Sequence, residues 1–293
     1  MAVDELVRAM SSNGDISIRA VVATHLVAEA ARRHGTSPVA SAALGRTLMG
    51  ALLLAAGTKN GETTQVQVRG RGPLGGVTAI ATAEGSVRGY VQNPDVSGIA
   101  AVDVGVAVGR GLLSVVRHRP SWREPYSGFV PLVSGQIAED IAHYLHESEQ
   151  TRSAIALGVD VDPEGRVCAA GGYLVQALPE ASEDVLDELS DRIESLAMPT
   201  EMLRRGFGAD AIVDHVLAEL GSTARQQGAV AFVCDCSADR VERAIALLGR
   251  AEIEDLLRER EELVITCHFC AEHYRVSPEK LELLMERMDR PDE

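Results

Sequence analysis

Hydrophobic and polar positions change their period several times along the chain. The first 60 residues read as helical. Thr24 to Arg33 is helix-like, and Ser37-Pro38 supplies an N-cap followed by proline at the first helical position. The helix predicted from Pro38 to Ala56 is almost wholly apolar, with Gly45 and Gly50 allowing close approach. A membrane span is the rival reading of such a segment. Arg46 lies mid-segment, where a charge costs about 2.5 to 3.5 kcal/mol on insertion scales, and Ala and Gly dominate. A buried core helix is therefore expected.

From Thr63 the period becomes two. Val66 and Val68 alternate with Gln65, Gln67 and Arg69, and strands are predicted over Val77 to Ala83, Ser86 to Val91, Val102 to Val108 and Leu112 to Arg117. Glu84-Gly85 and Asn93-Pro94 are turns. Gly70-x-Gly72-x-x-Gly75 matches a dinucleotide fingerprint, but Pro73 and a new strand follow where that motif needs a helix to present amides to a pyrophosphate. Pro125 to Val133 reads as a strand, and Ser134 as the cap of a helix carrying Ile137, Ile141, Tyr144 and Leu145. Extended segments return from Ala154 to Leu178. Cys168, with no partner at ligand spacing, reads there as a small buried hydrophobe.

After Pro179 the pattern turns amphipathic and acidic. Ser182-Glu183-Asp184 places a cap and two acids at a helix start, with Val185, Leu186, Leu189, Ile193 and Leu196 behind them, and a second piece runs from Ala209 to Leu220 with Ile212 and Val216 on its stripe. Helices this short depend on neighbours for stability. Taken alone, they read as an ordinary helical connector. Beyond Ser237 a helix with Val241, Ala244, Ile245 and Leu248 stops at Gly249, and a second carries Ile253, Leu256 and Leu257. Leu263 to Cys267 and His273 to Val276 form a hairpin, and Ser277-Pro278 opens a last helix with Leu281, Leu284 and Met285.

The candidate chemistry sits in that last stretch. Cys234-x-Cys236, 30 further residues, then Cys267-x-x-Cys270 hold four of the five cysteines. Two close pairs folded together give the four-thiolate tetrahedron of structural zinc. Residues two apart in an extended run share a face, so Cys234 and Cys236 would point the same way. Unrelated buried cysteines are the bland alternative. Resting disulfides are the other, set aside because the N-terminus is no secretory signal and the cytosol keeps thiols reduced. Each pair is also spaced to close on itself, Cys234 with Cys236 and Cys267 with Cys270, if an oxidant removes the electrons that hold the metal. His268 and His273 are ligand types that four cysteines make unnecessary.

Composition narrows the function classes. Of 293 residues 46% are apolar but only 3% aromatic, so Ala, Val, Leu and Gly must do the packing. The net charge of −15 is uneven: −2 over residues 1 to 180, −6 over 181 to 230 and −7 over 231 to 293. A zinc-ribbon module on nucleic acid is opposed by that −7. A thiol oxidoreductase is opposed by the lack of a βαβ setting around the C-x-x-C pair, and no acid-base or nucleophile constellation is evident.

The wording around the cysteines, Phe232-Val233-Cys234-Asp235-Cys236-Ser237, Ala246-Leu247-Leu248-Gly249-Arg250-Ala251-Glu252, Cys267-His268-Phe269-Cys270 and Tyr274-Arg275-Val276-Ser277, resembles the redox-regulated bacterial holdase chaperones, the thirty-three-kilodalton heat-shock protein family. The likeness extends through Arg69 to Gly75, Gly85 to Val91, Tyr126-Ser127-Gly128, Ser148-Glu149-Gln150 and Ala169 to Tyr173. It implies an α+β N-terminal chaperone domain (1–180), a metastable helical linker (181–230) and a C-terminal zinc-binding redox-switch domain (231–293). It also implies one zinc per chain on Cys234, Cys236, Cys267 and Cys270 in the reduced form, cytoplasmic location and no enzymatic activity. The expected partners are unfolding proteins, with no nucleic acid or membrane, and a homodimer when oxidised. The linker would unfold with the zinc module, offering Val185, Leu189, Ile193, Ile212 and Val216 to clients. One departure from the family pattern is Arg258-Glu259-Arg260-Glu261-Glu262, where relatives often have a glycine turn.

Overall fold

A helix apolar on all sides needs cover on all sides, and α2 (Pro38–Ala55) has it: only Pro38 and Arg46 of its residues escape full burial. Length and composition would let it cross a membrane, yet it lies inside the protein. Arg46 resolves its mid-helix charge by extending to Gln136, Nη1 donating to the side-chain oxygen at 2.6 Å. The computed structural model describes residues 3–259 and 262–288, and places them in two units. One runs to Val233 and the second begins at Cys234.

In the first unit the strands are β1 (Glu5–Met10), β2 (Ile16–Val22), β3 (Thr63–Gly70), β4 (Gly76–Thr82), β5 (Ser86–Val91), β6 (Gly111–His118), β7 (Tyr126–Pro131), β8 (Ser153–Val161), β9 (Val167–Ala177), β10 (Thr223–Ala229) and β11 (Ala231–Phe232). Its helices besides α2 are α1 (Thr24–His34), α3 (Val104–Val108), α4 (Ala138–Glu147), α5 (Glu183–Ser195), α6 (Pro199–Arg204) and α7 (Ala209–Leu217). One sheet has the order β10-β1-β2-β9-β8 and the other β11-β5-β4-β3-β6-β7. α2 packs against strands of both. Leu6, Val21, Leu157 and Leu174 of the first sheet join its core, as do Val66, Val68, Val77 and Val115 of the second. The other face of the first sheet, with Val7, Ile16, Ile18, Val22 and Tyr173, makes a separate core with α5, α6 and α7.

The structure corrects the sequence reading in several places. The first 60 residues are not all helical, since β1 and β2 precede α1. Ile16 and Ile18 alternate with Ser17 and Arg19, and the Ser11 and Asn13 side chains tie the turn. Val102 to Val108 is not a strand: α3 occupies Val104–Val108. Its carbonyls press on the glycine motif, where a Cβ on Gly70 or Gly72 would collide with Val108 O or Ala107 O. That close approach, not a phosphate, accounts for those glycines. Ser37 stands at the N-cap of α2 with Pro38 at the first helical position, as expected, but its Oγ accepts from Val96 N at 3.2 Å rather than from a helix amide. Ser134 does not cap α4. Buried Asp140 collects the amides of Val133, Ser134, Gly135 and Ile137 instead. Cys168 is exposed rather than buried.

The second unit contains α8 (Ala238–Ala246), α9 (Arg250–Glu259), the hairpin β12 (Leu263–Thr266) and β13 (His273–Val276), and α10 (Pro278–Met288). Ser237 accepts from Arg240 N as the cap of α8, and Gly249 takes the left-handed conformation at φ +93°. Its core is small: Ile245, Ile253, Leu263, Val276, Leu281 and Leu284. Arg260 and Glu261 of the divergent loop lie outside the described residues.

A test of the hub uses Gly45, where a Cβ would sit 2.6 Å from Val27 Cγ1 and 2.9 Å from Val159 Cγ2. Gly45→Ala gains about 0.8–1.0 kcal/mol of helix propensity but overpacks two stiff β-branched neighbours, at about 1–3 kcal/mol. A net loss is expected, read as a lower urea midpoint at unchanged m-value. A gain would mean the contact is slack.

Candidate metal centre

The four predicted ligands come from two places that the second unit folds together. Cys234 and Cys236 lie in the irregular stretch between β11 and the Ser237 cap. Cys267 and Cys270 occupy the turn between β12 and β13, where Cys267 N donates to Glu272 O at 2.9 Å and Ala271 N donates back to Cys267 O at 2.8 Å. Ala271 sits at φ +57°, a left-handed residue that a non-glycine side chain rarely adopts. The turn thus points both thiols of the C-x-x-C pair inward.

All four Sγ atoms lie within 4.8 Å of one another. Sulfurs of different pairs approach closely, Cys234 to Cys267 at 3.8 Å and Cys236 to Cys270 at 3.3 Å. A tetrahedron with metal–sulfur bonds near 2.3 Å separates its sulfurs by about 3.8 Å, so the cluster has the dimensions of a four-thiolate metal site. Cys270 is buried and the other three are half-buried. Among the described residues, groups able to hold a metal reduce to this one. His273 is engaged elsewhere, its Nδ1 2.8 Å from Thr266 Oγ1.

Sequence reasoning missed one contributor. Tyr274, on β13, donates its hydroxyl to Cys236 Sγ at 3.0 Å. Its position four residues beyond Cys270 at the start of the return strand is the only signal the sequence holds. Burial pushes the Cys236 thiol up, but the hydrogen bonds from Tyr274 and then from the neighbouring thiols outweigh it and bring the group below the ordinary thiol range. Cys234 and Cys270 are raised, chiefly by burial. Thiols crowded at this distance cannot all ionise without a cation among them. The donor set therefore calls for a metal whenever all four are thiolates.

The stripe expected to meet clients lies in the first unit. Leu189, Ile212 and Val216 are buried, and Val185 and Ile193 half-buried, in the core over the outer face of the β1-β2-β9 sheet. α5 is seated loosely. Leu189 is its one buried residue, and a cavity of 540 Å³ opens beside it, lined by His143, Ala154, Val175, Leu186 and Ile193 among others. α6 fits closely because Gly158 and Gly171 leave room for Thr200 and Leu203. Arg192 of α5 donates to the carbonyls of His215 (2.6 Å) and Val216 (3.1 Å) at the end of α7, tying the two helices together.

A family model described as Hsp33 protein matches residues 4–277. The chain belongs to the Hsp33 family. Among curated relatives, the 33 kDa chaperonin of Geobacter sulfurreducens is 41% identical, with 97% of this chain and 96% of that protein covered. That of Desulforamulus reducens is 40% identical over 99% of both, and that of Symbiobacterium thermophilum 44% over 95% of this chain and 96% of its own. The crystal structure of the Hsp33 homologue of Thermotoga maritima superposes with a TM-score of 0.90 at 31% identity, covering 97% of this chain and 98% of that one. The fold is thus the α+β architecture of Hsp33.

Tyr274→Phe removes a donor to Cys236 without emptying the space the ring fills. Outer-shell partners of this kind affect metal affinity by about 10–100-fold. A fall of that size is expected in chelator competition. Unchanged affinity would make Tyr274 a packing residue only.

Proposed function

We propose that this Hsp33-family chain is a holdase chaperone of the cytoplasm, held inactive by one zinc on Cys234, Cys236, Cys267 and Cys270 and activated by oxidation of those thiols. The observation that carries the reading is the convergence of the four sulfurs in a unit whose core has six buried apolar side chains among the described residues. When bound, zinc supplies a tetrahedral cross-link between the two halves of that unit. Apparent zinc binding energies in small metal-folded peptides are about 10–16 kcal/mol, comparable with the whole net stability of a domain at about 5–15 kcal/mol. The unit is therefore stable with its metal and not without it.

Oxidation proceeds by thiolate attack on peroxide. One sulfur of a pair takes an oxygen and releases hydroxide, and its neighbour then displaces that oxygen, forming the S–S bond and leaving water. Each pair gives up two electrons, so two peroxides convert four thiols into two disulfides. In the folded unit sulfurs of different pairs lie within reach of one another, yet once the unit opens, chain separation governs encounter. Cys267 then closes with Cys270 and Cys234 with Cys236, the tighter C-x-C ring later.

The linker responds because it has little support of its own. Its helices run to 13, 6 and 9 residues, too short to persist alone. Cys234 follows Val233, whose amide donates to Val87 O at 2.9 Å, so disorder at the cysteines reaches the end of the first unit through one residue. Release of α5 to α7 would uncover Val185, Leu189, Ile193, Ile212 and Val216 together with Val7, Ile16, Ile18 and Tyr173 beneath them. Acidic residues on the same helices keep the loaded complex dispersed. Unfolding proteins are the partners and no turnover is involved. The −7 charge of the cysteine-bearing region disfavours nucleic acid, the apolar α2 is already covered, which disfavours a membrane role, and two oxidised chains pair as a homodimer.

Two experiments test this. Zinc content, thiol state and suppression of aggregation of a thermally unfolding reporter are measured on one sample before and after peroxide. One zinc per chain and no holding are expected before, disulfides within each pair and holding after. Cys267→Ser should weaken zinc binding, and full affinity in that variant would refute the ligand set. Hydrogen exchange on oxidation should rise over residues 181–293 while α2 and strands β2 to β9 stay protected. A linker as protected after oxidation as before removes the mechanism even if zinc leaves.

A further inference from the structure

β10 is held unlike the other strands. All seven of its residues are exposed, and among the described strands only the two-residue β11 also lacks a buried residue. It stays by backbone pairing with β1, with Leu6 opposite Gly228, Val7 opposite Gln227 and Arg8 opposite Gln226. The ladder slips between Arg8 and Met10, and Ala224 sits at φ +52°, a state a β-strand alanine does not favour. Its side-chain anchors are exposed and polar: Arg225 to Asp210 (2.6 Å) and Asp214 of α7, and Gln227 to Glu5. Exposed pairs of this kind hold little.

The strand beneath is the opposite case. β1 is paired with β2 from Glu5 to Met10. Leu6 is buried on the α2 side of the sheet, and Val7 and Ala9 on the α7 side. β1 thus remains seated when β10 departs, leaving an ordered row of unpaired N–H and C=O groups, the natural template for another strand. β10 is also placed to depart. It is tied to α7 through Arg225, and only four residues separate Ala229 from Cys234.

Resting on the redox-holdase reading, we infer that β10 occupies a client site: the edge of β1, Glu5 to Met10, takes up an extended segment of an unfolding protein by strand pairing once β10 has left. The chemistry of the occupant follows from the seat. Main-chain pairing accepts any non-proline backbone, as a polar, glycine-containing β10 already demonstrates. Gln227 lies opposite Val7 and so shares its face, as does Arg225 two residues away. With α7 gone that face is apolar, and the favoured segment carries apolar side chains at alternate positions.

The test uses the full-length chain and a fluorescent peptide of residues 221–231. The peptide should bind the oxidised chain at least tenfold more tightly than the reduced one. R225V/Q227V in the peptide should tighten binding further, and a chemically unfolded reporter protein should displace it. In the chain itself, Gly228→Val adds a strand-favouring residue where a Cβ meets nothing within 4 Å, so it holds β10 in place without strain. Zinc release and disulfide formation should be unchanged in that variant while holding falls several-fold. The inference is overturned if oxidised wild type holds the reporter but the peptide does not bind, binds both redox states equally, or the edge amides of residues 5–10 gain no protection from hydrogen exchange on adding the reporter. Protection that appears without reporter and rises with chain concentration also overturns it, assigning the edge to a second copy. If oxidised wild type holds no reporter at all, it is the redox-holdase reading that fails.

Discussion

The burial of α2 between two sheets is the constraint from which the rest follows. A helix apolar on every side can be stable only if each side is covered, and the two sheets cover it. Gly45 and Gly50 bring Val27, Val159 and Ile141 against its backbone. Among the described residues of the C-terminal third, this core takes only Val230 and, at its margin, Phe232, which leaves the rest of that third free for the proposed switching.

What the hub does not cover is the far face of the β1-β2-β9 sheet. That face is as apolar as the near one, and it is closed by three short helices with one loosely seated member. In the proposed mechanism the asymmetry is functional: one side is sealed by a core helix, the other by short helices that metal chemistry in the second unit holds in place.

The cysteine spacing was fully legible, because two pairs with ligand separation have few other uses, and the geometry brings all four sulfurs together. The core helix was legible from its unbroken apolar run. β1 and β2 were not, since runs of six and seven residues offer too few alternations to stand out beside two long helices. Val102 to Val108 misled because alternating valines favour a strand locally, while docking against Gly70 and Gly72 selects a helix. Asp140 and Tyr274 act across loops that only the fold closes. Cys168 was misplaced because an exposed thiol and a buried one look alike in sequence.

The elements proposed to loosen share one topological property. They are consecutive, from α5 to the C-terminal helix, and the parts of them that join the two sheets, β10 and β11, lie at sheet edges. Nothing has to be drawn through the interior for them to come away or return. Re-formation joins residues far apart in sequence, β10 to β1 and α7 to β1 and β2, but it is the docking of short elements onto strands already in place rather than the assembly of a sheet afresh. Placing the labile elements at one end of the chain and at the rims of the sheets makes the opened state recoverable.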